Sequence, residues 1–126
     1  MAEKNGGSAL DVSLAYFEAW TTATFDDALK YVDKSIVCDA PAGRLEGLDA
    51  FRGFMEPFTK ILTRSELIAA FGDRGTALLM YDTDTVPVKN APGAEYHQVR
   101  NGMITYLRII FDRAPFDAAR QASRQD

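Results

Sequence analysis

Apolar residues recur at intervals of three and four in three segments of the chain, and this spacing predicts helices. The first predicted helix covers about residues 9–22. A second, shorter helix begins at Thr24, whose side chain can cap it, and ends near Asp33. The third covers about residues 48–62 and contains Pro57, which removes a backbone hydrogen bond, so a kink or a split is expected there.

After residue 63 the apolar positions alternate, which predicts strands, and a further short strand is predicted between the second and third helices. The predicted strands, in chain order, are "SIVCDA", "SELIAAF", "TALLMYDTDTVPV" and the two halves of "EYHQVRNGMITYLRIIFD". Loops are predicted at "PAGRLEG" and "KNAPGA". Asn101-Gly102 predicts a tight hairpin turn, because both residues accept positive φ angles.

The order of elements is helix, helix, strand, helix and then four strands joined by hairpins. Helices followed by an antiparallel meander predict an α+β fold. We therefore expect three N-terminal helices packed in a strongly curved mixed or antiparallel sheet with an interior pocket. One domain is expected over residues 9–113, preceded by a flexible leader at 1–8 and followed by a tail, loose or briefly helical, at 114–126.

Composition and charge narrow the classes of function. The 14 basic residues are scattered and are outnumbered by 18 acidic ones, which argues against nucleic acid and anionic membranes as partners. No apolar run approaches the ~20 residues that span a bilayer, and no secretory signal is expected at the N-terminus. Cys38 is the single cysteine, so we expect no intrachain disulfide, no multi-cysteine metal site and a cytoplasmic location.

Asp39 ends the short strand and immediately precedes the turn residues of "PAG". A carboxylate in this position is either a turn residue that accepts a backbone N–H or a working group at the mouth of a buried space. In the second case, loss of hydration would raise its basicity toward that needed for a general base. The residues alone leave both interpretations open.

His97 is the only histidine, and strand alternation places it on the same face as Glu95. If this face points inward, a neutral imidazole can act as a base or as a hydrogen-bond donor. If it points outward, His97 is an ordinary strand residue. A lone histidine among scattered acids does not predict a metal site, and no cofactor is expected.

Four segments in this order and spacing carry a resemblance to a known fold family. They are "LAYFEAW", "FDDALKYVDKSIVCDAPAG", "EGLDAFRGFMEPF" and "VRNGMITYLRIIFD". Over about residues 9–113 the chain resembles the nuclear transport factor 2-like superfamily, in particular its SnoaL-like polyketide cyclase and ketosteroid isomerase-like branch. The resemblance implies a cone in which a curved sheet wraps the long helix around an apolar pocket. The candidate lining residues are Tyr16, Trp20, Met55, Phe58, Tyr81 and Glu95.

The resemblance also implies a chemistry. In the isomerase-like branch, the segment that holds Asp39 carries the general base, and the first-helix tyrosine, here Tyr16, donates to the developing oxyanion. A second acid is usual on the penultimate strand, where this chain offers only Glu95 or His97, and His97 is the third catalytic candidate. The implied function is cofactor-free acid–base chemistry on a compact apolar carbonyl or epoxide compound, as an isomerase, cyclase or hydrolase.

Two other interpretations remain open. A pocket without chemistry would make the chain a ligand-binding or accessory protein, and the missing second acid favours this interpretation. Apolar residues on both faces of "ITYLRIIF" predict that the outer face of the sheet is also covered. The simplest cover is a second copy of the chain in a homodimer.

Overall fold

The structure, a computed structural model, describes residues 8–125 of the chain, with side chains described as far as residue 122. Within that range, the elements are α1 (Ala9–Thr22), α2 (Phe25–Leu29), β1 (Val32–Ala40), β2 (Gly43–Glu46), α3 (Leu48–Ile61), β3 (Leu62–Gly72), β4 (Thr76–Thr85), β5 (Ala91–Arg100), β6 (Met103–Phe111) and α4 (Ala114–Gln125). The predicted leader lies outside the described residues except for Ser8. The Ser8 hydroxyl oxygen accepts the backbone N–H of Asp11 over 3.1 Å and caps α1.

The described strands form one sheet in the order β2–β1–β6–β5–β4–β3. β1 runs parallel to β6, and every other neighbouring pair is antiparallel. The strand register shifts in β1, β3 and β5, and irregularities of this kind bend and twist a sheet. The predicted class, an α+β fold with a curved mixed sheet, is confirmed.

The core lies between the helices and the inner face of the sheet. α1 contacts β3 to β6, and α3 contacts β1 and β2. On β4, Leu79 and Tyr81 are buried, whereas Leu78 and Met80 are exposed, so alternation separates an inner face from an outer face. None of the described helices is long and apolar enough to cross a membrane.

Two segments predicted as loops contain strand residues. In "PAGRLEG", Pro41 and Ala42 alone form the turn, because the residues on either side pair at once as β1 and β2. In "KNAPGA", Asn90 turns the chain with a φ of 56°, and its N–H is bound by Asp84. β5 therefore begins directly afterwards, at Ala91.

Other boundaries also differ from the prediction. α2 ends at Leu29, because the carbonyl of Tyr31 already accepts from the N–H of Ile104 on the neighbouring strand. α3 is continuous across Pro57 and is not split. The predicted tail forms α4. The hairpin at Asn101-Gly102 is confirmed, with φ angles of 54° and 76°.

Gly93 on β5 lies directly opposite Tyr81 on β4, and the tyrosine ring lies across it. A Cβ atom at position 93 would stand 2.8 Å from Tyr81 Cε1 and 3.2 Å from its hydroxyl oxygen. The absence of a side chain at Gly93 therefore leaves the space in which the buried ring of Tyr81 lies.

We expect Gly93→Ala to lower the free energy of unfolding by ~1–3 kcal/mol, because the added methyl group overpacks against Tyr81. Gly53→Ala is the matched control, because a Cβ atom there meets nothing within 4 Å. In the middle of a helix this change should raise the free energy of unfolding by ~0.5–1 kcal/mol. Urea denaturation measures both values, and equal effects of the two substitutions would contradict the close approach of Tyr81 to Gly93.

Candidate functional site

A cavity of about 440 Å³ lies between α3, α4 and the inner face of β4, β5 and β6. Its closed end is formed by the buried residues Met55, Tyr81 and Thr83. The exposed residues at its open end are Pro41, Ala42, Pro92, Arg113 and Arg120. A cavity of this size with largely apolar walls suits a small organic molecule.

Four buried polar side chains form a continuous hydrogen-bonded chain behind the closed end of the cavity. The Tyr81 hydroxyl donates to Glu95 Oε2 over 2.5 Å. The other carboxylate oxygen, Oε1, lies 2.8 Å from His97 Nε2, and His97 Nδ1 lies 2.7 Å from Ser13 Oγ. None of the four residues is more than 3% exposed. Because Tyr81 also lines the cavity, this chain connects the cavity with the core.

The hydrogens can be placed so that every member of this hydrogen-bonded network is satisfied. The Ser13 hydroxyl donates to Nδ1 of a neutral His97, Nε2–H of His97 donates to Glu95, and Tyr81 donates to the other carboxylate oxygen. Glu95 is then an ionised carboxylate with both oxygens bound. Removing a single partner from such a buried charge lowers the free energy of unfolding by ~3–5 kcal/mol, so each of these hydrogen bonds depends on the others being present.

Strand alternation brings these side chains together. Glu95 and His97 are two residues apart on β5, so both point to the inner face. Tyr81 stands diagonally from Glu95 across the β4–β5 ladder, within reach of its carboxylate. Ser13 comes from the buried face of α1. Three different elements therefore supply the four groups.

Two more buried polar atoms in this region, Tyr16 Oη and Trp20 Nε1, have no hydrogen-bond partner among the described residues. The rings of Tyr16 and His97, and those of Trp20 and Tyr81, both have centroids 5.6 Å apart. Burial, followed by the nearby charge of Glu95, raises the pKa of Tyr16 and of Tyr81 well above the usual value for tyrosine. Both phenols therefore stay protonated, and the Tyr16 hydroxyl is a buried donor behind the cavity that has no acceptor among the described residues.

Asp39 does not point into the cavity. It lies on the face of β1 opposite to the buried Cys38, where it accepts hydrogen bonds from Arg44 Nε (2.8 Å), Arg44 Nη2 (2.9 Å) and the Tyr106 hydroxyl (2.6 Å). Arg44 first, and then Tyr106, hold the pKa of Asp39 well below its usual range. The expectation of a desolvated carboxylate with raised basicity is therefore wrong, because β2 supplies a guanidinium group that pairs with it.

The structure divides the other predicted site residues into two groups. Those that line the cavity are Met55, Phe58 and Tyr81. Those that are buried behind it are Tyr16, Trp20, Glu95 and His97. Sequence reasoning missed Ser13, for which a polar residue on the buried stripe of α1 was a usable signal. It also missed Arg113, the last residue of the predicted domain, and Arg120, which lies in the segment that was predicted as a tail.

Thiol and metal chemistry find little support in the described part of the chain. Burial, with a smaller contribution from the charge of Glu95, raises the pKa of the Cys38 thiol to about 12, so the reactive thiolate is not formed near neutral pH. No group of three or more histidine, cysteine, aspartate or glutamate side chains among the described residues is arranged to hold a metal ion.

Comparisons with known proteins agree with this architecture. The SnoaL-like domain family matches residues 14–107. The chain is similar to a crystal structure of a protein from Kribbella flavida, with a TM-score of 0.91 and 59% identity over 94% of this chain and 98% of that one. A nuclear transport factor 2-like protein of unknown function from Cytophaga hutchinsonii gives a TM-score of 0.71 at 24% identity, covering 85% and 92% of the two chains.

A proposed polyketide cyclase from a Silicibacter species gives a TM-score of 0.69 at 17% identity, covering 88% of this chain and 92% of that one. These last two structures share the fold only. No curated protein matches the chain in sequence. The resemblance indicated by the four sequence segments is confirmed.

We expect Asp39→Asn to remove part of the stability that the chain loses on acidification. Arg44 and Tyr106 depress the pKa of Asp39 in the folded chain, so its ionised form stabilises the fold above the ordinary value of 3.8. This contribution is lost as the pH falls from there toward the folded-state pKa. The variant should therefore be less stable than the wild type at about pH 7 and closer to it at about pH 3.

Urea unfolding midpoints at the two pH values measure this difference. Asp82→Asn, which removes another acid from the outer face of the sheet, is the control. Its urea midpoints at the two pH values should differ by as much as those of the wild type. Parallel pH profiles for the wild type and Asp39→Asn would contradict a stabilising ion pair with Arg44.

Proposed function

Because the chain belongs to the SnoaL-like domain family, we propose that its cavity binds a compact, mainly apolar small molecule. The molecule bears a carbonyl or epoxide group, and the protein acts on it by cofactor-free acid–base chemistry as an isomerase, cyclase or hydrolase. One observation carries this proposal: the Tyr81 ring forms the closed end of the cavity while its hydroxyl donates to the buried Glu95 carboxylate. Tyr81 and Glu95 are therefore the proposed acid–base groups.

The proposed relay consists of two coupled proton transfers. A proton leaves a ligand carbon next to a carbonyl, or leaves a water that attacks an epoxide, and binds the Tyr81 oxygen. The tyrosine's own proton crosses at the same time to Glu95 Oε2, 2.5 Å away. Return of the protons along the same path, to a different ligand atom, completes an isomerisation. The transfers are coupled because burial keeps the pKa of Tyr81 high and disfavours a free tyrosinate.

Behind this pair, His97 and Ser13 act as positioning residues. Nε2–H of His97 donates to Oε1 of Glu95, which leaves Oε2 for Tyr81. The ionised carboxylate only accepts, so it sets the tautomer of the imidazole, and the Ser13 hydroxyl donates to Nδ1. Tyr16, whose buried hydroxyl has no partner among the described residues, lies behind the cavity and does not line it, so we assign it no step in the relay. Asp39 has no part in the relay, because it lies outside the cavity.

The surroundings of the relay support the same proposal. The apolar walls exclude water, and electrostatic interactions of Tyr81 and Glu95 with a ligand are stronger in such a low-dielectric space. The shared fold with a proposed polyketide cyclase agrees with a substrate that contains carbonyl groups, although a fold alone does not determine an activity. We also propose a cytoplasmic location, because the single cysteine is buried as a free thiol and such thiols are typical of reducing compartments.

A second candidate function is ligand binding without chemistry. Glu95 and His97 do not line the cavity, so a ligand that leaves Tyr81 in place meets only its phenol, the Thr83 side chain and apolar walls at the closed end. A protein that works in this way would retain its ligand unchanged.

The compact bicyclic ketone 2-tetralone distinguishes these functions. We expect the protein to bind it and to accelerate deuterium exchange at the carbon atoms next to the carbonyl, as followed by NMR in heavy water. Tyr81→Phe keeps the ring but removes the hydroxyl, so it should reduce this acceleration by at least ~10²-fold, the low end for a positioned acid–base group. Its affinity for 2-tetralone, measured by calorimetry, should change much less.

The matched control is Tyr96→Phe, which makes the same change on the outer face of β5 and should leave exchange at the wild-type rate. Binding of 2-tetralone without faster exchange would favour the second function. Failure of the wild-type protein to bind 2-tetralone would contradict both candidate functions.

We further propose a homodimer through the outer face of the sheet. Met80, Ala94 and Ile110 lie side by side across β4, β5 and β6. Met80 and Ile110 are 49% and 59% exposed, and Leu78, which is 56% exposed, extends the apolar patch along β4. An identical patch on a second copy is the simplest partner, because a twofold axis makes such a surface self-complementary.

Sedimentation at micromolar concentration should show a dimer for the wild type and a monomer for the double variant Met80→Lys/Ile110→Lys. The four added lysines would meet across the twofold axis and repel one another. Val86→Lys is the control, because Val86 is 71% exposed but follows β4 and lies outside the patch. A monomeric wild-type profile would count against the dimer.

A further inference from the structure

The mouth of the cavity carries charges that the proposed relay does not use. Arg113, Asp117 and Arg120 line it, and no other lining residue in the described part of the chain is charged. Asp117 forms an ion pair with Arg120 and lies 4.0 Å from Arg113 Nη2. Two guanidinium groups thus face one carboxylate, and the mouth has an excess of one positive charge in a chain whose net charge is −4.

Packing fixes these charges at the mouth. Phe116 on α4 contacts Phe58 on α3 and Phe111 at the end of β6, with ring centroids 6.2 and 5.8 Å apart. Arg120 stands four positions after Phe116 on α4, and Arg113 directly precedes the helix, where its carbonyl accepts the N–H of Asp117. Both line the cavity together with Phe116. The aromatic contact therefore holds both guanidinium groups beside the opening.

The two ends of the cavity differ in charge. At the closed end, Tyr81 stands in front of the buried Glu95 carboxylate, which would repel an anionic group in a low-dielectric space. At the open end, an anionic group would meet the N–H donors of Arg113 and Arg120 and would keep part of its hydration. The long contact between Arg113 and Asp117 leaves Arg113 with donors for another acceptor.

We propose that the ligand is an amphiphilic monoanion, with its apolar body inside the cavity and a carboxylate at the mouth, bound by Arg113 and Arg120. This inference rests on the proposed small-molecule function of the cavity and adds the charge and orientation of the ligand. A carboxylate matches the paired N–H donors of a guanidinium group. A carboxylate also suits an excess of one positive charge better than a phosphate dianion does.

The pair 2-naphthoate and 2-naphthamide tests the proposal, because the two compounds differ in charge but hardly in shape. By calorimetry at low ionic strength, the wild type should bind 2-naphthoate ~10-fold more tightly than 2-naphthamide, as two partly exposed charge contacts allow. Added salt should weaken this preference. The double variant Arg113→Gln/Arg120→Gln should lose the preference and keep the wild-type affinity for 2-naphthamide.

The matched control, Arg74→Gln/Arg100→Gln, removes the same charge from exposed positions away from the mouth and should keep the preference. Equal wild-type affinities for the two compounds would overturn the carboxylate proposal and leave the small-molecule function standing. The carboxylate proposal is also overturned, and the small-molecule function still stands, if Arg113→Gln/Arg120→Gln keeps the preference or loses affinity for both compounds. If the wild type binds neither compound, the small-molecule function itself fails.

Discussion

A carboxylate enclosed in an apolar core is the constraint that the rest of this structure satisfies. Glu95 is 2% exposed, and an ionised group in that position destabilises the fold unless hydrogen bonds replace its hydration. Tyr81 and His97 provide those bonds from β4 and β5, and Ser13 on α1 binds the far side of the imidazole. Because each partner belongs to a different element, only one mutual placement of helix and strands completes the set. The geometry of the site thus depends on how α1, β4 and β5 pack together.

The same hydrogen bonds determine where the cavity lies. Tyr81 is drawn toward Glu95 and lies across Gly93, so its ring closes one end of the space between α3, α4 and the sheet without filling it. Phe116 on α4 closes another side by packing against aromatic residues of α3 and β6. The cavity therefore has a rigid polar end, apolar walls and a charged mouth.

Local patterns were sufficient to predict the fold class but not the site. Helical spacing, strand alternation and the turn at Asn101-Gly102 are properties of consecutive residues, and the structure agrees with all three. Asp39 and Glu95 are both acids on strands, and only tertiary contacts distinguish them. Asp39 meets Arg44 on a strand that was predicted as a loop, whereas Glu95 faces the core. Neither contact can be read from neighbouring residues, because the register of β1 and β2 and the inward face of β5 depend on the whole sheet.

The proposed orientation of the ligand suits the proposed relay. In this proposal, a carboxylate bound at the mouth directs the uncharged end of the ligand toward Tyr81, the proposed place of acid–base chemistry on a carbonyl or epoxide. If Glu95 met such a ligand directly, two negative charges would share a space in which water screens them poorly. The neutral phenol of Tyr81 stands between them, and its hydroxyl, 2.5 Å from the carboxylate, passes the proton in the proposed relay. In this proposal, a base that acts through a tyrosine therefore suits an anionic ligand in an apolar cavity better than a carboxylate placed directly in the wall does.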